Sequence, residues 1–75
     1  MNGWMIERRG AVVAIMRQGP RFVASVDGDA VGFYHAPEAA LLDLLGGHTA
    51  SPSSGVDTSK LDLPEDLSEW KRLCG

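Results

Sequence analysis

Arg21-Phe22-Val23-Ala24-Ser25-Val26-Asp27-Gly28-Asp29-Ala30-Val31-Gly32-Phe33-Tyr34-His35 reads as two strands hinged at Asp27-Gly28. Asp-Gly between alternating residues predicts a two-residue hairpin turn of type I′. Both central positions of that turn need positive φ, which Gly adopts freely and Asp tolerates. On the first arm Phe22, Ala24 and Val26 face one way and Arg21, Val23 and Ser25 the other. On the returning arm Val31, Phe33 and His35 are expected to share a face. Gly32 between them leaves room for a neighbouring side chain.

Upstream lies Ala11-Val12-Val13-Ala14-Ile15-Met16-Arg17, apolar on both faces as far as Arg17, then a turn at Gln18-Gly19-Pro20. Such a run predicts a central strand or one covered on both sides. Residues 4–9 form a weaker strand, with Gly10 as a break or a bulge. Residues 4–35 therefore read as an antiparallel β-meander of three to four strands.

Downstream, Pro37 and Glu38 open a helix: Pro suits the first helical position, and an acid there complements the helix dipole. Ala39, Ala40, Leu41, Leu42, Leu44 and Leu45 carry it, and Gly46 is the expected left-handed cap. Its leucines predict that it lies flat on the sheet. Residues 46–60, rich in Gly, Ser and Pro, read as a flexible linker or a short irregular excursion. In residues 61–75, Pro64 marks a second helix start. Glu65 and Asp66 lie in its first turn, Lys71 and Arg72 in its last, and Leu63, Leu67, Trp70 and Cys74 form an apolar stripe. The expected fold is α+β: one domain over residues 1–75, with sheet and first helix in 4–45, linker in 46–60 and a C-terminal amphipathic helix in 61–75. Met5 could serve as an alternative start.

Seventy-five residues bury only about 60–65% of the surface of the unfolded chain, so a core of this size needs support. One cysteine, Cys74, permits no internal disulfide. Neither a cofactor motif nor a Cys/His metal cluster is visible. The remaining routes to stability are a compact core or self-association as a homodimer. A single free thiol and an N-terminus with Glu7, Arg8 and Arg9 point to the cytoplasm, and no apolar run is long enough for a membrane span.

The net charge of −3 argues against a general nucleic-acid binder; it suits a partner with a basic surface and equally serves solubility. Residues 1–36 carry Arg8, Arg9, Arg17 and Arg21 against Glu7, Asp27 and Asp29. Residues 37–75 carry Glu38, Asp43, Asp57, Asp62, Glu65, Asp66 and Glu69 against Lys60, Lys71 and Arg72.

His35 ends a strand and His48 follows a helix cap, with no convergent partner signalled for either. Cys74 at a helix C-terminus has no activating base. Asp27-Gly28-Asp29 lacks the further ligands of a calcium loop. Ser51, Ser53 and Ser54 have no nucleophile context. These readings predict a protein that is not an enzyme. The expected function is a protein-binding regulator or inhibitor that occupies a basic surface of a host protein, in the manner of small phage and mobile-element anti-defence (anti-CRISPR-like) proteins. No residue motif ties the chain to any such family. The expected contact residues are Asp27, Asp29, Asp62, Glu65, Asp66, Leu67, Glu69 and Trp70. On that reading, alanine at Trp70 removes binding and leaves the fold intact. The alternative is a nucleic-acid-binding or antitoxin-like regulator using Arg8, Arg9, Arg17 and Arg21, with Trp4 and Phe22 available for stacking.

Overall fold

The computed structural model describes residues 2–50 and 52–73. Four strands follow one another as a meander: β1 (Gly3–Arg8), β2 (Ala11–Gln18), β3 (Arg21–Val26) and β4 (Asp29–Tyr34). A fifth, β5 (Lys71–Leu73), returns to pair with β1, giving a five-stranded antiparallel sheet in the order β4-β3-β2-β1-β5.

The turns follow from local chemistry. Asp27 and Gly28 have φ of 51° and 90°, the paired left-handed geometry that Asp-Gly predicts. Arg9 and Gly10 repeat it with 52° and 81°. Gly10 is thus half of a tight hairpin turn. It goes unrecognised in the sequence because arginine is a poor residue for positive φ.

β2 is the central strand, as its composition predicts, but only one of its faces is fully covered. Ala11, Val13 and Ile15 are buried, whereas Val12 is 36% exposed and Ala14 and Met16 are half-buried. The covered face continues through Ile6 of β1 and Ala24 and Val26 of β3.

β4 departs from simple alternation. Ala30 pairs with Ser25 and Gly32 with Ala24, so Val31 is an extra residue in the ladder. The bulge reverses the facing of the strand beyond it. Val31 is buried, Gly32 and Tyr34 join the covered face, and Phe33 turns outward, 58% exposed. Val31, Phe33 and His35 therefore do not share a face. Gly32 does admit a neighbour: a Cβ there would lie 2.5 Å from the Tyr34 hydroxyl.

The helix α1 (Pro37–Gly46) begins at Pro37 and buries Ala40, Leu41 and Leu44 on the covered face. Its left-handed cap is Gly47 (φ 71°), one residue beyond the expected Gly46. The backbone N–H of His48 donates to Asp43 O at 2.9 Å and closes the helix end.

Residues 46–60 adopt the irregular excursion rather than a free linker. The N–H of Ala50 donates to Val31 O at 3.0 Å. The hydroxyl and N–H of Ser53 both donate to Asp29. This strap covers part of the outer edge of β4, which together with the bulge protects it from pairing with another strand. A 3-10 turn (Thr58–Lys60), capped by the Asp57 carboxylate on the N–H of Ser59, then seats Thr58 and Leu61 in the interior.

The C-terminal amphipathic helix is absent among the described residues. Asp62 takes a left-handed φ of 59°, which breaks any helix across it. Asp66 caps a single 3-10 turn (Leu67–Glu69), and Trp70 is extended (φ −88°, ψ 154°). A helix this short has little intrinsic stability. Extended backbone instead buries Leu61, Leu63 and Trp70 together and leaves Lys71–Leu73 free to satisfy the open edge of β1. The Trp70 indole N–H donates to Pro64 O at 3.2 Å. Cys74, the last member of the expected stripe, lies outside the described residues.

Trp70 is 4% exposed and belongs to the core. Trp70→Ala is expected to destabilise the chain by about 3–5 kcal/mol, comparable with the whole stability of a small domain, ~5 kcal/mol. Urea unfolding followed by circular dichroism measures it; a native-like midpoint would contradict the assignment of Trp70 to the core.

Candidate functional site

Among the described residues all layered structure lies on one side, and the other side of the sheet is open. Strand register arranges it in rows. One row runs Phe33, Val23, Met16, Gly3, Leu73 across the five strands, and the next runs Ala30, Ser25, Ala14, Met5, Lys71. Val12 and Glu7 continue it at one end, and Gln18 and Arg21 at the other. Apart from Lys71 and Ser25, the two central rows carry no polar side chain. Met16 leans over Gly3, where a Cβ would meet its sulfur at 2.7 Å. A depression of about 390 Å³ opens between Met16, Val23 and Phe33, with Ser25, Gly28 and Ala30 among its other walls. The sequence carried a signal of this surface: Val12, Ala14 and Met16 make β2 apolar on its second face, and Val23 interrupts the polar face of β3.

The expected contact residues fare differently. Trp70 is buried and Leu67 is half-buried against the core, so neither forms the exposed anchor the sequence predicts. Asp29 is held below the usual carboxylate range, first by the Ser53 hydroxyl and then by its N–H. Asp66 is held low by the N–H and hydroxyl of Ser68, and Asp57 likewise by Ser59. Asp57 and Asp66 thus cap the two 3-10 turns, and Asp29 anchors the strap through Ser53. Asp62, Glu65 and Glu69 are exposed. Asp27 is exposed at its turn, with one carboxylate oxygen accepting from the N–H of Val12 at 2.9 Å.

The four arginines do not form one patch. Arg8 and Arg9 stand at the β1–β2 turn and Arg17 and Arg21 at the β2–β3 turn, separated by the eight residues of β2, or ~25 Å. Alternation also sends Arg17 and Arg21 to opposite faces. A different cationic residue meets an aromatic: the Arg72 guanidinium lies 4.8 Å over the Trp4 ring, whose centroid is 6.4 Å from that of Phe22. This cluster depends on the pairing of β5 with β1, which was not foreseen from the residues.

His35 and His48 are both exposed. Among the described residues, no group of three or more His, Cys, Asp or Glu side chains could hold a metal ion. Nor is any helix among them long and apolar enough to cross a membrane. A second depression, about 240 Å³, lies within the strap between Gly47, Ala50, Pro52 and Thr58. The buried Thr58 hydroxyl beside it has no hydrogen-bond partner among the described residues.

No family model, curated protein or solved structure matches this chain.

Tyr34 ties the sheet to the helix, its hydroxyl donating to Asp43 Oδ2 at 2.9 Å. Burial, then the hydrogen bond and charge of Asp43, push its pKa from 10.0 up to about 12. The folded state therefore holds the phenolic proton more tightly than the unfolded state. The resulting stability is complete below pH 10 and is lost as pH rises towards 12. Tyr34 is the only tyrosine, so ultraviolet titration of tyrosinate isolates it. Ionisation is expected near pH 12 in the folded protein and near 10 in urea. Tyr34→Phe is expected to cost about 1 kcal/mol.

Proposed function

We propose that this chain is a non-enzymatic protein-binding module whose principal contact surface is the open face of the sheet. The observation that carries this reading is the apolar row of exposed Phe33 and half-buried Val23 and Met16, with half-buried Leu73 at its far end. Large contiguous apolar patches on small domains mark interaction surfaces, because water contact with them is costly and burial against a partner removes it. The rim is polar, with Arg21 and Gln18 at one end and Glu7 and Asp27 at the other, which is the usual anatomy of a protein interface. A regulator or inhibitor that acts by occupancy needs no more than this.

A second reading is favoured by charge segregation. The layer formed by residues 37–70 carries Glu38, Asp43, Asp57, Asp62, Glu65, Asp66 and Glu69 against Lys60, a balance of −6. The strands and their turns carry Arg8, Arg9, Arg17, Arg21, Lys71 and Arg72 against Glu7, Asp27 and Asp29, a balance of +3. The outer layer can therefore steer towards, or dock on, a basic protein surface. The nucleic-acid alternative has less support, since its arginines stand at opposite ends of the sheet.

Photo-crosslinking separates the two readings. A benzophenone side chain introduced at Phe33 (Phe33→p-benzoylphenylalanine) is expected to give protein adducts in the cell that makes the protein. The same group at Glu65 is expected to give few. Adducts from position 65 alone would replace the open-face reading with the acidic one, and none from either would remove both.

A further inference from the structure

We propose that the occupant of the open face is a second copy of this chain, packed face to face about a two-fold axis that lies between the sheets and runs across the strands. This rests on the reading of that face as a protein-binding surface.

The argument is the relief of the face. A two-fold axis in that direction leaves each strand facing its own copy and exchanges the two central rows. Phe33 then stands over Ala30, Val23 over Ser25, Met16 over Ala14, Met5 over Gly3, which Met16 of its own chain already covers, and Leu73 over Lys71. In the first three pairs a larger side chain meets a smaller one, as interdigitating layers require. In the last, the Lys71 stem offers methylenes to Leu73 while its ammonium reaches the rim. The depression between Met16, Val23 and Phe33 is the hollow of this relief. Ser25 and Ala30 line it, so it lies where Val23 and Phe33 of the second copy arrive.

Charge agrees with the same axis and not with the other simple one. β3 presents Arg21 at one end of the open face, and Asp27 follows at the other. With β3 antiparallel to its copy, Arg21 of each chain meets the carboxylate of Asp27 in the other, twice over. An axis along the strands instead sets Phe33 against Leu73 and places Arg21 and Asp27 opposite no complement on the facing strand. The area is modest. Five strands of about six residues present roughly 400 Å² in projection, so two copies bury on the order of 1,000 Å², at the lower end of specific interfaces. The dimer is accordingly concentration-dependent.

Sedimentation equilibrium in the presence of a reductant, from roughly 10 μM to 1 mM because an interface of this size dissociates in that range, tests the proposal. The weight-average mass is expected to rise from monomer towards dimer. Val23→Asp and Phe33→Asp are expected to weaken association at least tenfold, by placing a charge at the centre of the face, with circular dichroism unchanged. Mixing decides the geometry. R21D carries acids at both rim positions and D27R bases at both, so each alone is weakened and a mixture associates. M16A and A14M form an equivalent pair in size, independent of the turn at Asp27. A monomer at every concentration, a dimer unaffected by Val23→Asp, or mixtures no tighter than their components would each overturn the proposal. Adducts from position 33 to a different protein, with a monomer throughout, would remove self-association and keep the open face as a binding surface.

Discussion

Everything in this small domain depends on burying one face of one sheet. Ala11, Val13 and Ile15 of β2, with Ile6, Ala24 and Val26 beside them, have no value to the fold until something covers them. The chain supplies that cover from four places: α1, the strap, the segment with Leu61 and Leu63, and Trp70. With no disulfide available among its residues, apolar burial must outweigh the entropy of ordering the backbone. The loops are drawn into that task. This is why Gly, Ser and Pro in residues 46–60 coexist with a buried Pro52 and Thr58.

The same constraint explains how much of the fold was legible. The meander was readable because turn chemistry is local: Asp27-Gly28 declares positive φ whatever surrounds it. Pro37 is equally local, and α1 begins there. The facing of β4 was not readable, since the bulge at Val31 is decided by pairing with β3. The C-terminal segment misled for a deeper reason. Leu63, Leu67 and Trp70 have helical spacing, and the acids of the first turn suit a helix. Yet propensity differences of a few tenths of a kcal/mol per residue yield to the burial of one tryptophan, worth ~2–3 kcal/mol. A period in the sequence reports which residues seek the interior, not the backbone path by which they reach it.

The candidate surface was hidden by the same substitution of strand for helix. With a C-terminal helix, Trp70 is a plausible exposed anchor and the sheet has at most four strands. With β5 in place, Trp70 goes inside, Leu73 extends the outer row, and Arg72 is set over Trp4. Three residues of strand thus move the candidate site from a helix face to a sheet face. The acids that looked like a recognition surface are in part the caps of two 3-10 turns. Capping and recognition favour the same residue types at loop positions, so composition alone could not divide them.

The proposed dimer bears on the acidic reading as well as on the open-face one. Face-to-face packing hides the apolar rows and leaves both acidic layers pointing outward on opposite sides of the particle. Each layer alone offers a basic partner a screened and modest attraction. Two on a fixed scaffold make the second contact intramolecular whenever the partner is itself repeated or dimeric, raising its effective concentration without any new side chain. In the proposed dimer, the weak and concentration-dependent association of so small a face would itself be a control point: binding to a repeated partner would strengthen where the chain is abundant enough to pair.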